Sequence, residues 1–153
     1  MGNAIRSGTS WSNPITVSAY DTDTVTIVPT PGAAAFWFKS GVNMATIQYW
    51  IIKGFTIDGD NQALHGIKLQ NAPADSLAPS DAYAGPHYIR VSNSEIMNMK
   101  ASGLLVGGDD HEFLNLKVHD CGTTFYDHGI YLGRPQYGCA IRVVQQCGLR
   151  HSN

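Results

Sequence analysis

The sequence predicts an all-β fold in which short strands and tight turns repeat as stacked coils, and three observations predict it. Apolar and polar residues alternate over short runs, and no stretch sustains the 3.6-residue apolar spacing of an amphipathic helix. Sixteen glycines and seven tyrosines sit among many Val, Ile and Thr, the composition of strands joined by turns. One strand-like segment also recurs, as Thr56-Ile57-Asp58-Gly59, Glu95-Ile96-Met97-Asn98 and Lys117-Val118-His119-Asp120.

A second segment follows each of these: His65-Gly66-Ile67-Lys68-Leu69, Ser102-Gly103-Leu104-Leu105-Val106 and His128-Gly129-Ile130-Tyr131-Leu132. Ile96 to Val118 is 22 positions, Val118 to Val144 is 26 and Ile57 to Ile96 is 39, so the coil is about 22 to 26 residues and the long interval holds an insertion. Residues 72–86, rich in Ala, Pro, Ser and Asp and without alternation, read as that insertion, a loop leaving the regular body. Val144-Gln145-Gln146-Cys147-Gly148 echoes Val118-His119-Asp120-Cys121-Gly122 as a fourth repeat, although Ile141-Arg142-Val143 alternates in the opposite phase.

Alternation assigns faces to the repeats. Ile67 and Leu69, Leu104 and Val106, and Ile130 and Leu132 are expected inside, with Lys68, Leu105 and Tyr131 outside and His65, Ser102 and His128 as a second outward column. In the other sheet Ile57, Ile96 and Val118 stack inside, and Asp58, Met97 and His119 face out. Each unit buries its apolar face only against its neighbours, so the coils share one continuous core. Residues 1–153 are expected to form a single unit, a fragment whose outer coils and caps lie beyond it, since Arg150-His151-Ser152-Asn153 follows directly on a strand-turn pattern.

Three stretches resemble a known family: Asn13-Pro14-Ile15-Thr16-Val17; Ile52-Lys53-Gly54-Phe55-Thr56-Ile57-Asp58-Gly59; and Val118-His119-Asp120-Cys121-Gly122 with Asp127-His128-Gly129-Ile130-Tyr131-Leu132. The chain is similar, over nearly its whole length, to the right-handed parallel β-helix proteins of the pectate-lyase-like superfamily. The resemblance implies that fold and a carbohydrate-active role outside the cell or on its surface. It does not choose among lyases, hydrolases, epimerases and tailspikes, which share the coil pattern.

Composition narrows the partners. A formal net charge of −2 and ten scattered Lys and Arg give no footprint for nucleic acid. The longest apolar runs, such as Gly32 to Phe38, are too short to span a bilayer, and Met1 to Ser12 lacks the basic start and apolar stretch of a signal peptide. Cys121, Cys139 and Cys147 contain no C-x-x-C pair; Cys121 and Cys147 occupy matched positions in the echo, as a stacked thiol pair or a bridge. Trp11, Trp37, Trp50 and the tyrosines are candidates for stacking on sugar rings, although Trp37 and Trp50 lie in apolar strands and are expected in the core.

The richest polar cluster is His119, Asp120, Asp127, His128, Tyr131 and Arg134. Elimination in a uronic acid needs a cation to neutralise the carboxylate, a base for the C5 proton and an acid for the leaving oxygen. Arg134, His128 and Tyr131 match these roles, with His119 and Asp127 as further catalytic candidates and Lys68, His65 and Lys117 as substrate contacts. The plainer reading makes Asp120 and Asp127 turn residues that accept bonds from nearby N–H groups. Asp109-Asp110 after Gly107-Gly108 offers oxygens to Ca²⁺, or is simply a turn. The expected function is a polysaccharide lyase or epimerase on an acidic glycan. The alternatives are a non-catalytic carbohydrate-binding or adhesive surface protein, and a glycoside hydrolase pairing Asp109 with Asp127.

Overall fold

A computed structural model describes residues 6–39, 47–70 and 85–133, together with the backbone of Arg142–Gln145. The regular elements among the described residues are all strands: β1 (Ile15–Ser18), β2 (Val25–Ile27), β3 (Ala34–Lys39), β4 (Gln48–Lys53), β5 (Phe55–Asp58), β6 (His65–Gln70), β7 (His87–Met97), β8 (Leu104–Val106), β9 (Glu112–His119), β10 (Ile130–Leu132) and β11 (Arg142–Gln145). Every pairing between these strands is parallel. Because parallel neighbours need a crossover, each strand pairs with the equivalent strand of the next pass of the chain and not with its own successor.

The larger sheet curls because β7 and β9 turn a corner without breaking. The first half of β7 pairs with β4 and its second half with β5, and the two halves meet at Asn93. Asn93 and Asn115, its counterpart in β9, both hold φ of 49°, and Gly54 between β4 and β5 holds φ of 79°. A left-handed residue redirects the strand, and Gly and Asn are the residues that tolerate that conformation best. Three ladders result. The first joins β1, β4, the front halves of β7 and β9, and β11; the second joins β2, β5 and the two back halves; the third runs β3, β6, β8, β10.

All three ladders point their apolar columns at one core. Val17, Ile52, Val91 and Phe113 are register partners in the first ladder, and Ile27, Ile57, Ile96 and Val118 in the second. In the third, Phe36, Ile67, Leu104 and Ile130 stack beside Phe38, Leu69, Val106 and Leu132. Ile52, Ile57, Ile67, Ile89, Val91, Ile96, Leu104 and Phe113 have no exposed surface. Complete burial of one such side chain contributes about 1.5–3 kcal/mol, so the columns are the main source of cohesion.

The glycines at the start of β6 and just ahead of β8 have a steric cause. A Cβ on Gly66 would lie 2.5 Å from Ile96 Cγ2, and one on Gly103 would lie 2.5 Å from Val118 Cγ1. The second ladder's column is thus seated against bare backbone, and any side chain there would displace it.

Several expectations are corrected. Ile130 is only half-buried and Leu132 is 47% exposed, because β10 is the last strand of the four-stranded sheet and, among the described residues, no strand pairs with its outer edge. Ser102 is buried, so the column of His65, Ser102 and His128 does not face outward throughout. Val144 pairs with Leu114 and not with Val118, and the register shifts between Val144 and Gln145. Trp37 is 50% exposed and faces out, since Phe36 and Phe38 on either side of it take the core positions. Trp50 is half-buried against Phe38 at 5.3 Å, with its indole N–H donating to the Arg6 carbonyl at 2.9 Å. The insertion lies outside the described residues except for Gly85 and Pro86, and Arg134, Cys139 and Cys147 lie outside them altogether.

Candidate functional site

The outward positions of the third ladder form one row. Trp37 pairs in register with Lys68, Lys68 with Leu105, and Leu105 with Tyr131. Three ladder steps of about 4.8 Å separate the two aromatic ends by roughly 14 Å. Lys68 Nζ lies 4.8 Å and Lys39 Nζ 5.7 Å from the Trp37 ring centroid, within reach of its π face. The indole N–H donates to Gln70 Oε1 at 3.1 Å, which fixes the ring's orientation. At the other end the Tyr131 ring stacks on the exposed His128, with centroids 5.5 Å apart and planes 4° from parallel.

His65 sits half-buried at the start of β6. Burial first, and then the charge of Lys68, lower its pKa, while Asp127 pulls in the opposite direction. Asp127 itself is committed to the turn: its Oδ2 accepts from Thr123 N at 3.1 Å, Thr124 N at 2.9 Å and Thr124 Oγ1 at 2.9 Å. Those bonds, that of Thr124 Oγ1 foremost, hold the carboxylic acid below its ordinary pKa. The turn reading therefore describes Asp127.

His119 and Lys117 lie on the second ladder and not on this row. Lys117 pairs with Glu95, whose Oε1 also meets His119 Nε2 at 2.9 Å, and His119 Nδ1 meets Asp120 Oδ2 at 2.7 Å. The bond to Asp120 and then that to Glu95 raise the pKa of His119, and the bonds from Lys117 and His119 lower that of Glu95. A ring held between two carboxylates is an ion-pair partner and lacks the open nitrogen that a base requires.

The Asp109-Asp110 pair diverges. Asp109 is 7% exposed and its Oδ2 stands 3.8 Å from His87 Nδ1, while burial raises its pKa. Asp110, in a left-handed conformation with φ of 57°, hydrogen-bonds Tyr88 and raises that residue's pKa chiefly through its charge. Among the described residues no group of three or more His, Cys, Asp or Glu side chains is placed to hold a metal ion. Of the two carboxylates named for a hydrolase pair, Asp109 is buried beside His87 and Asp127 holds a turn.

Of the residues expected at the site, Lys68, Tyr131 and His128 come together on one face with His65 and Asp127 at its margin. The apolar strand around Trp37 favours the core over its place on that face, although the alternation Phe36-Trp37-Phe38 carries the signal that it faces out. Trp11 is not an open platform: it stands edge-on to Tyr49 at 5.6 Å and Tyr88 at 6.3 Å, and the Arg90 guanidinium lies 4.2 Å from its ring. No family model, no curated protein and no solved structure matches the chain.

Proposed function

We propose that the chain is a section of a right-handed parallel β-helix of the pectate-lyase-like kind, and that the outer face of its third ladder binds an acidic polysaccharide. The observation that carries this reading is the in-register row Trp37, Lys68, Leu105, Tyr131, with Lys39 beside Trp37. The Lys68 and Lys39 ammonium groups held over the Trp37 ring meet the carboxylates of a uronic acid, and the exposed part of the indole offers apolar surface to the C–H groups of a pyranose. A polymer laid across the strands crosses one outward side chain per ladder step, which suits a repeating ligand.

In the catalytic form of this reading, elimination takes place at the His128 end. His128 takes the C5 proton, the electron pair of that C–H bond becomes the C4–C5 double bond, the C4–O bond breaks, and Tyr131 protonates the departing oxygen. A non-catalytic binding face is the second reading. It is favoured by the commitment of His119 to Glu95 and Asp120 and of Asp127 to its turn, which leaves few acid-base groups for chemistry among the described residues.

Retardation of the chain in gels containing pectate or alginate tests both. Trp37→Ala and Lys68→Ala are each expected to weaken binding by about tenfold. Ultraviolet absorbance of an unsaturated uronate product, with and without calcium, then separates the two readings. A rise lost in His128→Ala supports elimination, binding without a rise supports the non-catalytic face, and the absence of retardation on every acidic polymer overturns both.

A further inference from the structure

A second concave surface lies at the corner between the first and second ladders, on a different side of the molecule from the Trp37 row. In the later passes the corner takes one residue: Gly54, Asn93 or Asn115. In the first pass it takes residues 19–24, a turn closed by Asp23 N donating to the Tyr20 carbonyl at 2.9 Å, with Tyr20 81% exposed. This longer turn overhangs the tight corners of its neighbours and walls one end of a hollow of about 610 Å³. A second hollow of about 460 Å³ continues it under the same turn and shares Asp23, Gly54 and Asn93.

The floor is polar. Thr56, Glu95 and Lys117 are register partners on the outward side of the second ladder, and Asn93 and Asn115 form the adjoining edge. Asn115 Nδ2 donates to Asn93 Oδ1 at 2.9 Å, a single bond that uses only part of the donor and acceptor capacity of two amides. Lys117 is drawn to Glu95, and the adjoining hollow sets Asp21 and Asp23 against Lys53. Carboxylates therefore outnumber ammonium groups across the two hollows, the reverse of the Trp37 row, so a polyanion is disfavoured here. The only aromatic residue in the lining is Phe55, which is buried. Recognition in the hollow rests on hydrogen bonds and not on ring stacking.

We propose that this corner hollow is a second saccharide site, which takes a neutral oligosaccharide through hydrogen bonds between its hydroxyl groups and Asp23, Thr56, Asn93 and Glu95. The volume lies within the range of small-molecule sites. Carboxylate and amide groups side by side supply the alternating acceptors and donors that neighbouring hydroxyls need. The proposal does not rest on the function assigned to the third ladder, since the two surfaces share no residue.

Calorimetric titration of the full chain with maltohexaose, cellohexaose, xylohexaose and mannohexaose tests it. At least one is expected to bind, with affinity lowered about tenfold by Asp23→Ala and by Thr56→Val. Asp23 sits in an exposed turn and Thr56 on the outer face of β5, and circular dichroism of each variant confirms that a lost affinity is not a lost fold. If none of the four binds, or if binding falls in Trp37→Ala but holds in both Asp23→Ala and Thr56→Val, the proposal is overturned. Failure of pectate and alginate to bind, with a neutral hexaose still bound, overturns the third-ladder reading alone.

Discussion

Asn115 donates its side-chain amide to Asn93 Oδ1 across neighbouring strands, and both residues hold the same left-handed backbone at the corner of the larger sheet. The pair does two jobs at once: the backbone turns the strand from the first ladder into the second, and the amides close the corner. Gly54 takes the same place one pass earlier with no side chain at all.

That substitution pattern within one chain predicts the response to mutation. Asn115→Gly keeps the left-handed conformation and loses one exposed hydrogen bond, so it is expected to cost about 1 kcal/mol or less. Asn115→Val forces a β-branched residue into a conformation it avoids and is expected to cost about 2–3 kcal/mol. Urea denaturation midpoints of the two variants check the order.

Gly103→Ala is expected to destabilise by about 1–3 kcal/mol, because the new methyl would overlap Val118 Cγ1 and the Gly129 carbonyl oxygen, the latter 2.7 Å away. Trimming the partner tests the cause. In a double-mutant cycle Val118→Ala should recover part of the loss caused by Gly103→Ala, and purely additive costs would show that the backbone contact alone is responsible.

Much of this packing was legible in the sequence, and the reason is period-2 alternation. Ile57, Ile96 and Val118 fall in one buried column, and Ile67, Leu69, Leu104 and Val106 in two more, as their spacing predicts. The corner at Asn93 was not legible, since a one-residue bend leaves β7 reading as continuous strand. Trp37 was misplaced because its apolar neighbours outweighed its parity, and Leu132 because burial depends on what covers the last strand. The candidate site was half legible: Lys68, His128 and Tyr131 share a face and the turn reading anticipates the bonds of Asp127, but the bonds that hold His119 between Glu95 and Asp120 depend on rotamers that no spacing rule encodes.

Asp127 offers a direct check on its structural role. If its carboxylate organises the turn, Asp127→Ala should speed hydrogen exchange at the amides of Thr123 and Thr124, which donate to it, while exchange at Ile67 and Leu104 in the third-ladder core stays slow. Unchanged exchange at Thr123 and Thr124 would return Asp127 to the list of groups available for chemistry.

His111 predicts the pH dependence of stability. Its ring has no exposed surface, Nδ1 accepts from the Ile89 N–H at 3.2 Å, and Nε2 meets the Gly107 carbonyl at 3.0 Å, so the ring is neutral with its proton on Nε2. A second proton on Nδ1 would face the Ile89 N–H, with no acceptor to receive it. Burial is the main reason that the pKa falls to about 4, against 6.5 for an unperturbed imidazole. The unfolded chain therefore takes up a proton below pH 6.5 that the folded chain refuses until about pH 4. Stability is expected to decline as pH falls through that window, by about 3 kcal/mol from this residue. His119 works in the opposite sense: its raised pKa favours the folded state at low pH and is lost as pH rises, but the ring is partly solvated and its effect is screened. Urea midpoints measured from pH 7 to pH 4 should fall for the native chain. They should fall less for His111→Phe, which lacks the titrating group and is less stable at pH 7 because Ile89 N–H loses its acceptor. Parallel curves for the two proteins would show that the acid sensitivity originates elsewhere.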